Sequence, residues 1–142
     1  MSDVLILAGS NNKNLELAKK FYDELSNNNI SSKIIDMTEL EFPLYTARAE
    51  AGGLPKNLAE QVEAFDKAKG FVFAVPEYNG GVPPVVPNTL AWISRGSKDW
   101  RKCFNHKPAA IAAFSGGGGT HALMALRIQL SYIGLNVLGR QV

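Results

Sequence analysis

The chain has 142 residues, with 15 Lys and Arg against 13 Asp and Glu, a formal charge of +2. This near balance is too weak to argue for a nucleic-acid-binding surface, and a composition 46% hydrophobic and 20% charged excludes an intrinsically disordered chain. The length fits one domain over 1–142, the single Cys103 excludes an internal disulfide and points to the cytoplasm, and no apolar run reaches membrane length.

Val4-Leu5-Ile6-Leu7-Ala8 is continuously apolar, the pattern of a strand buried on both faces. It ends in Gly9-Ser10-Asn11-Asn12, a turn and cap cluster. A helix follows with Leu15, Ala18, Phe21, Tyr22 and Leu25 on one stripe, stopped by Asn27-Asn28-Asn29. Lys33 to Met37 reads as a second strand and residues 38–54 as a loop. Pro55 opens a helix carrying Leu58, Val62 and Phe65, with Gly70 as its stop. Phe71 to Val75 is a third strand. The turn Pro76 to Pro83 leads into a helix with Val86, Leu90 and Ile93, and Pro87 falls in its first turn, where no helix bond is lost. Pro108 to Phe114 is a fourth strand. The turn Ser115 to Thr120 then precedes a helix with Leu123, Leu126, Leu130 and Ile133, and Leu135 to Leu138 starts a fifth strand. Strands alternating with helices predict βαβ units, right-handed crossovers and a parallel sheet.

In such sheets ligands bind beyond the carboxyl ends of the strands. Three loops leave strand ends there, Gly9–Lys13, Pro76–Pro83 and Ser115–His121, and each precedes a helix whose first N–H groups lack internal partners. Catalytic side chains are scarce. The chain has no Gly-x-Ser-x-Gly elbow, no metal-spaced His/Cys cluster, no Gly-x-Gly-x-x-Gly and no Walker run. Ligand-cradling loops without acid–base machinery point to a cofactor that carries the reaction. Charge is uneven: residues 95–142 carry 7 basic and 1 acidic residue. The cluster Arg95, Lys98, Arg101, Lys102 and Lys107 reads as an anion patch or, with more weight, as a solvated loop or oligomer surface at the end of the sheet away from the three loops. Cys103 lies inside it without the partners of a nucleophile.

Pro76-Glu77-Tyr78-Asn79-Gly80-Gly81-Val82-Pro83 resembles the Pro-Glu-Tyr-Asn signature of the NADPH-dependent FMN reductase family. Asn88 to Arg95, Leu7 to Ser10, Asn14 to Ala18, Pro43-Leu44-Tyr45, Lys107-Pro108, the turn 115–119 and Leu126-Arg127 continue the match. The resemblance implies a flavodoxin-like, doubly wound α/β sheet of about five strands in order 2-1-3-4-5, with helices on both faces. It implies FMN as cofactor and NADPH or NADH as hydride donor. A flavin, quinone or similar small molecule is the acceptor, and the protein is a homodimer or homotetramer without nucleic-acid or membrane partners. Ser10, Asn12 and Asn14 would take the phosphate, Pro76, Glu77, Tyr78, Asn79 and Gly80 would border the ring, and Ser115, Gly116 and Gly117 would approach its other edge.

The first loop lacks the Arg and second Ser usual in the family, and His121 and Ala91 stand where Arg and Asp are common. Family members usually continue past the position of Val142 through a last strand and a closing helix, which leaves open whether the single domain over 1–142 lacks its final strand or helix. Two alternatives are a flavodoxin-type electron carrier, disfavoured by a pI near 8.7, and a degenerate member that no longer binds flavin.

Overall fold

The computed structural model describes residues 2–142; Met1, the first residue of the expected domain, lies outside the described residues. Five parallel strands, β1 (Val4–Ala8), β2 (Ser32–Asp36), β3 (Gly70–Ala74), β4 (Pro108–Ala112) and β5 (Asn136–Val137), lie in the order β2-β1-β3-β4-β5. Around them run α1 (Lys13–Asn27), α2 (Ala47–Ala51), α3 (Leu58–Lys67), α4 (Val85–Arg95) and α5 (Thr120–Tyr132). β1 and β3 are flanked by strands on both sides, which is why they are the continuously apolar runs. None of these helices is long and apolar enough to cross a membrane, among the described residues.

Side chains alternate across the sheet. Leu5, Leu7, Phe71, Phe73 and Ile111 pack against α3, α4 and α5 through Phe65, Leu90 and Leu126, while Ile6, Ala8, Val72 and Ala74 face α1 through Ala18 and Phe21. On the α1 face a shallow apolar groove lined by Val4, Leu25, Val72, Ala110 and Leu138 stays open to solvent. Strand order reverses between β1 and β3, so the helices that follow them depart to opposite faces and leave a crevice between their ends.

Several expected boundaries shift, each for a local reason. β2 ends at Asp36, whose side chain accepts the Thr38 N–H at 2.9 Å and bends Met37–Leu40 into a 3-10 turn. The stretch expected as a loop over 38–54 also holds α2, capped by the Thr46 hydroxyl accepting from the Ala49 N–H at 3.0 Å; five residues are too few to show helical periodicity. α3 starts at Leu58, after a turn closed by the Pro55 carbonyl. Gly70 does not stop that helix but opens β3, where a side chain would press on Pro108. Tyr22 leaves the buried stripe and is 42% exposed. β4 ends at Ala112, because Ala113 and Phe114 bond elsewhere. β5 is only two residues long, yet Leu138 N–H bonds Ala109 and Val142 N–H bonds Ile111, so the edge resumes after a bulge. The Arg127 guanidinium spans the bulge, donating to the carbonyls of Leu138 at 2.8 Å and Gly139 at 3.3 Å and to Gln141 Oε1 at 3.2 Å.

Candidate functional site

The register sets the site. Ala8 pairs with Ala74, and Ala74 with Ala112, so three alanines end three adjacent strands at one level. The loops after them are tied pairwise. The Gly9 N–H donates to the Ala74 carbonyl at 2.8 Å, joining the first loop to the second. Asn14 joins the first to the third: its Nδ2 donates to the Phe114 carbonyl at 3.0 Å and its Oδ1 accepts the Phe114 N–H at 2.9 Å. Glu77 joins the second to the third, because its Oε2 accepts the Ala122 N–H at 3.1 Å in the first turn of α5.

These bonds separate framework from presented groups. Asn14 is buried and both ends of its amide are committed to Phe114, so its side chain clamps two loops and is not available as a phosphate ligand. Pro76 is buried and has no N–H to offer. Glu77 fills an N-cap role that Gly119 cannot, with His121 Nδ1 3.6 Å from its other oxygen. Gly119 itself has φ of 70° and sits against Ala113, so a side chain there would meet Ala113 Cβ at 2.5 Å.

What remains presented is mostly backbone. No backbone N–H of residues 10 to 15 has an acceptor among the described residues, and Asn12 makes no side-chain cap to α1. Ser10 Oγ is buried and donates to Asn12 Oδ1 at 3.0 Å. Lys13 is exposed and paired with Glu16 at 3.0 Å, so its charge is directed along α1. In the second loop Asn79 (φ 52°) and Gly80 (φ 72°) form the tip of a tight turn between Tyr78 and Gly81, the two-residue turn that needs both residues left-handed. Tyr78 is 49% exposed beside it. In the third loop Gly116 has open space around it, and a side chain at Gly117 would lie 3.9 Å from Glu77 Oε1. Sequence reasoning missed Phe114, read as the end of a core strand; it is 57% exposed, beside Lys13 and Leu17 of α1. The signal available was its place directly before the glycine-rich turn.

The basic segment lies at the opposite end of the sheet, and most of its charges are used locally. Arg95 donates to the Tyr45 hydroxyl at 2.9 Å, and Lys102 pairs with Asp66 at 2.9 Å. Lys107 Nζ donates to the carbonyls of Phe65 and Asp66 at the carboxyl end of α3; burial holds its pKa below the usual lysine value. Cys103 is buried under the same segment, and desolvation pushes its thiol up to about 11. No grouping of three potential metal ligands occurs among the described residues.

The model of the NADPH-dependent FMN reductase family matches residues 2–142. An NADPH azoreductase of Bacillus sp. is 31% identical over 78% of this chain and 59% of its own length. An NAD(P)H-dependent FMN reductase of Pseudomonas aeruginosa is 33% identical over 69% of this chain and 52% of its own. The chain thus spans somewhat over half the length of these two relatives. A quinone reductase of Pseudomonas putida is 29% identical over 92% of this chain and 70% of its own length. Among solved structures, the flavoenzyme NAD(P)H:(acceptor) oxidoreductase of Paracoccus denitrificans superposes with a TM-score of 0.80 at 21% identity, over 98% of this chain and 76% of that one. An archaeal flavodoxin gives 0.67 at 9% identity over 96% and 78%, which establishes the flavodoxin-like fold. Fold, loop geometry and family match agree, and the chain belongs to the NADPH-dependent FMN reductase family, whose cofactor is FMN and whose hydride donor is NAD(P)H.

Proposed function

We propose that this chain holds one FMN across its three strand-end loops and passes hydride from NAD(P)H through it to a small flavin, quinone or similar acceptor. The observation that carries the reading is the run of six N–H groups, Ser10 to Leu15, with no acceptor among the described residues, at the amino end of α1. Consecutive free N–H groups and a helix amino terminus form a cradle for a phosphate dianion. The residues therefore fit the group. Ser10 and Asn12 add neutral donors once their mutual bond opens, while Asn14 holds the loop in shape through Phe114.

When bound, FMN supplies the hydride chemistry. The chain supplies position. The rigid Tyr78–Gly81 turn, the open Gly116 and the absence of a side chain at Gly117 leave room for a flat ring between the second and third loops. Glu77 fixes the spacing of those loops by holding the first turn of α5. Tyr78 offers an aromatic edge at the rim, and covering the ring there keeps water off the reacting face. The reading includes a homodimer or homotetramer, and a cytoplasmic compartment on the strength of a single cysteine.

The test is equilibrium titration with FMN and with riboflavin. FMN binds at one per chain and more tightly than riboflavin, and Ser10→Ala narrows the gap. Equal affinities for the two flavins would remove the phosphate role from residues 10 to 15.

A further inference from the structure

A second cleft lies at the end of the molecule away from the three strand-end loops. It encloses about 360 Å³ and is lined by Tyr45, Ala91, Ser94, Arg95 and Trp100. Tyr45 precedes α2, the next three residues belong to the last turns of α4, and Trp100 lies in the turn after it. The aromatic walls are fixed. The Tyr45 N–H donates to Asn88 Oδ1 at 2.7 Å, and its ring meets the buried Trp92 edge to face at 5.2 Å. The Arg101 guanidinium lies 4.3 Å from the Trp100 ring centre and the Tyr132 ring stacks 6.2 Å from it, yet Trp100 remains 39% exposed.

Arg95 is oriented by its neighbours but not used up by them. Its Nε donates to the Tyr45 hydroxyl at 2.9 Å, and that hydroxyl donates to Glu50 Oε2 at 2.7 Å. The guanidinium is thus anchored through one nitrogen, with Glu50 3.8 Å from that same nitrogen. Its two terminal nitrogens have no hydrogen-bond partner among the described residues. Ala91 lies four residues before Arg95, the position from which an acidic side chain would pair with it, and supplies no carboxylate. The Ser94 hydroxyl is spent on the Ala91 carbonyl at 2.7 Å.

We propose that this cleft binds a small planar aromatic carboxylate, with the carboxylate set side by side on the two terminal nitrogens of Arg95 and the ring against Trp100 and Tyr45. The planar fork of an arginine matches a carboxylate with two parallel bonds, and aromatic walls match a flat ring. The volume suits one or two fused rings and not a dinucleotide. The carbonyl end of α4 disfavours negative charge, so the cleft selects a monoanion over a phosphate dianion, and its preference for an anion rests on Arg95. Lys98 and Arg101 have no carboxylate partner among the described residues, whereas Glu50 is engaged by Tyr45, and Asp99 Oδ1 accepts the Arg101 N–H at 3.1 Å. The mouth of the cleft is therefore positive. The site is separate from the cofactor loops, and nothing in it depends on flavin.

The test is calorimetric titration of the intact chain with 2-naphthoate and with its uncharged analogue 2-naphthamide. The carboxylate binds at one per chain with submillimolar affinity, and the amide binds at least tenfold more weakly, a difference of about 1.4 kcal/mol. Ala91→Asp places a carboxylate against Arg95 from within the helix, so it weakens 2-naphthoate at least tenfold while the circular-dichroism melt stays unchanged. Trp100→Leu removes one wall and weakens both compounds alike. No binding at millimolar 2-naphthoate, equal affinity for the two compounds, or wild-type affinity in Ala91→Asp overturns the site. Saturating FMN leaves the 2-naphthoate affinity unchanged; competition between them would put the naphthoate in the strand-end loops and overturn the placement. The titrations without FMN stand whether or not the chain binds flavin, so failure here is distinct from failure of the cofactor reading.

Discussion

Asn14 shows how one residue can look like a ligand and act as a brace. Its amide makes both a donor and an acceptor bond to the backbone of one residue 100 positions away, and that pairing holds the first strand-end loop to the third. Asn14→Ala leaves the Phe114 N–H and carbonyl without partners in a partly buried place. A buried unpaired polar group costs about 1–3 kcal/mol, so the thermal midpoint should fall clearly. Flavin affinity should fall with it for FMN and riboflavin alike, because the defect is in loop spacing and not in phosphate contact. Ser10→Ala should do the reverse, leaving the melt nearly unchanged and weakening FMN selectively. A melt combined with two titrations separates these outcomes. Cys103 gives a second residue-level expectation. A thiol pushed up to about 11 by burial is almost wholly protonated at pH 8. Labelling by a thiol reagent should be negligible in the native state at that pH and complete after denaturation; fast native labelling would contradict the burial.

At the scale of elements, α4 and α5 are held in place by bonds from outside themselves. Segment 42–45 is docked onto α4 by Asn88, whose Nδ2 donates to the Pro43 carbonyl at 3.1 Å and whose Oδ1 accepts the Tyr45 N–H at 2.7 Å. The Trp92 indole N–H also donates to the Pro43 carbonyl, at 2.7 Å. Helix α5 is capped across the cleft by Glu77. Loss of an N-cap costs about 0.5–2 kcal/mol. Glu77→Gln keeps an acceptor for the Ala122 N–H and should retain most of the stability, whereas Glu77→Ala should lose it and raise hydrogen exchange in the first turn of α5. Equal exchange in the two variants would show that the cap does not hold the helix. Arg127 braces the β5 bulge from the inner flank of α5, so Arg127→Met should expose the amides of Leu138 and Val142 to exchange while the other strands stay protected.

For the whole molecule, a ligand that binds only the folded chain stabilises it by RT ln(1 + [L]/Kd), about 2.7 kcal/mol at a hundredfold excess over Kd. FMN should therefore raise the melting temperature progressively with concentration, and riboflavin should do so less at equal concentration. No shift with FMN at millimolar concentration would sink the cofactor reading.

The sequence alone determined the parallel sheet. Continuous apolar runs at Val4–Ala8 and Phe71–Val75 fit strands buried on both faces, and helical stripes between them fit crossovers. Strand order and family followed from the Pro76–Pro83 signature and its neighbours. Local pattern could not reveal which polar residues face the crevice and which hold it together. Asn14 and Glu77 find their partners 100 and 45 positions away, and no short-range rule encodes such contacts. α2 and the 3-10 turn were hidden because their few residues are fixed by single side-chain caps, Thr46 and Asp36, and not by periodicity. The outward face of α5 was also illegible as sequence. Periodicity put Leu123, Leu126 and Leu130 on the buried stripe, but that Met124, Ile128 and Tyr132 stay largely open to solvent on the other face was decided only by the packing.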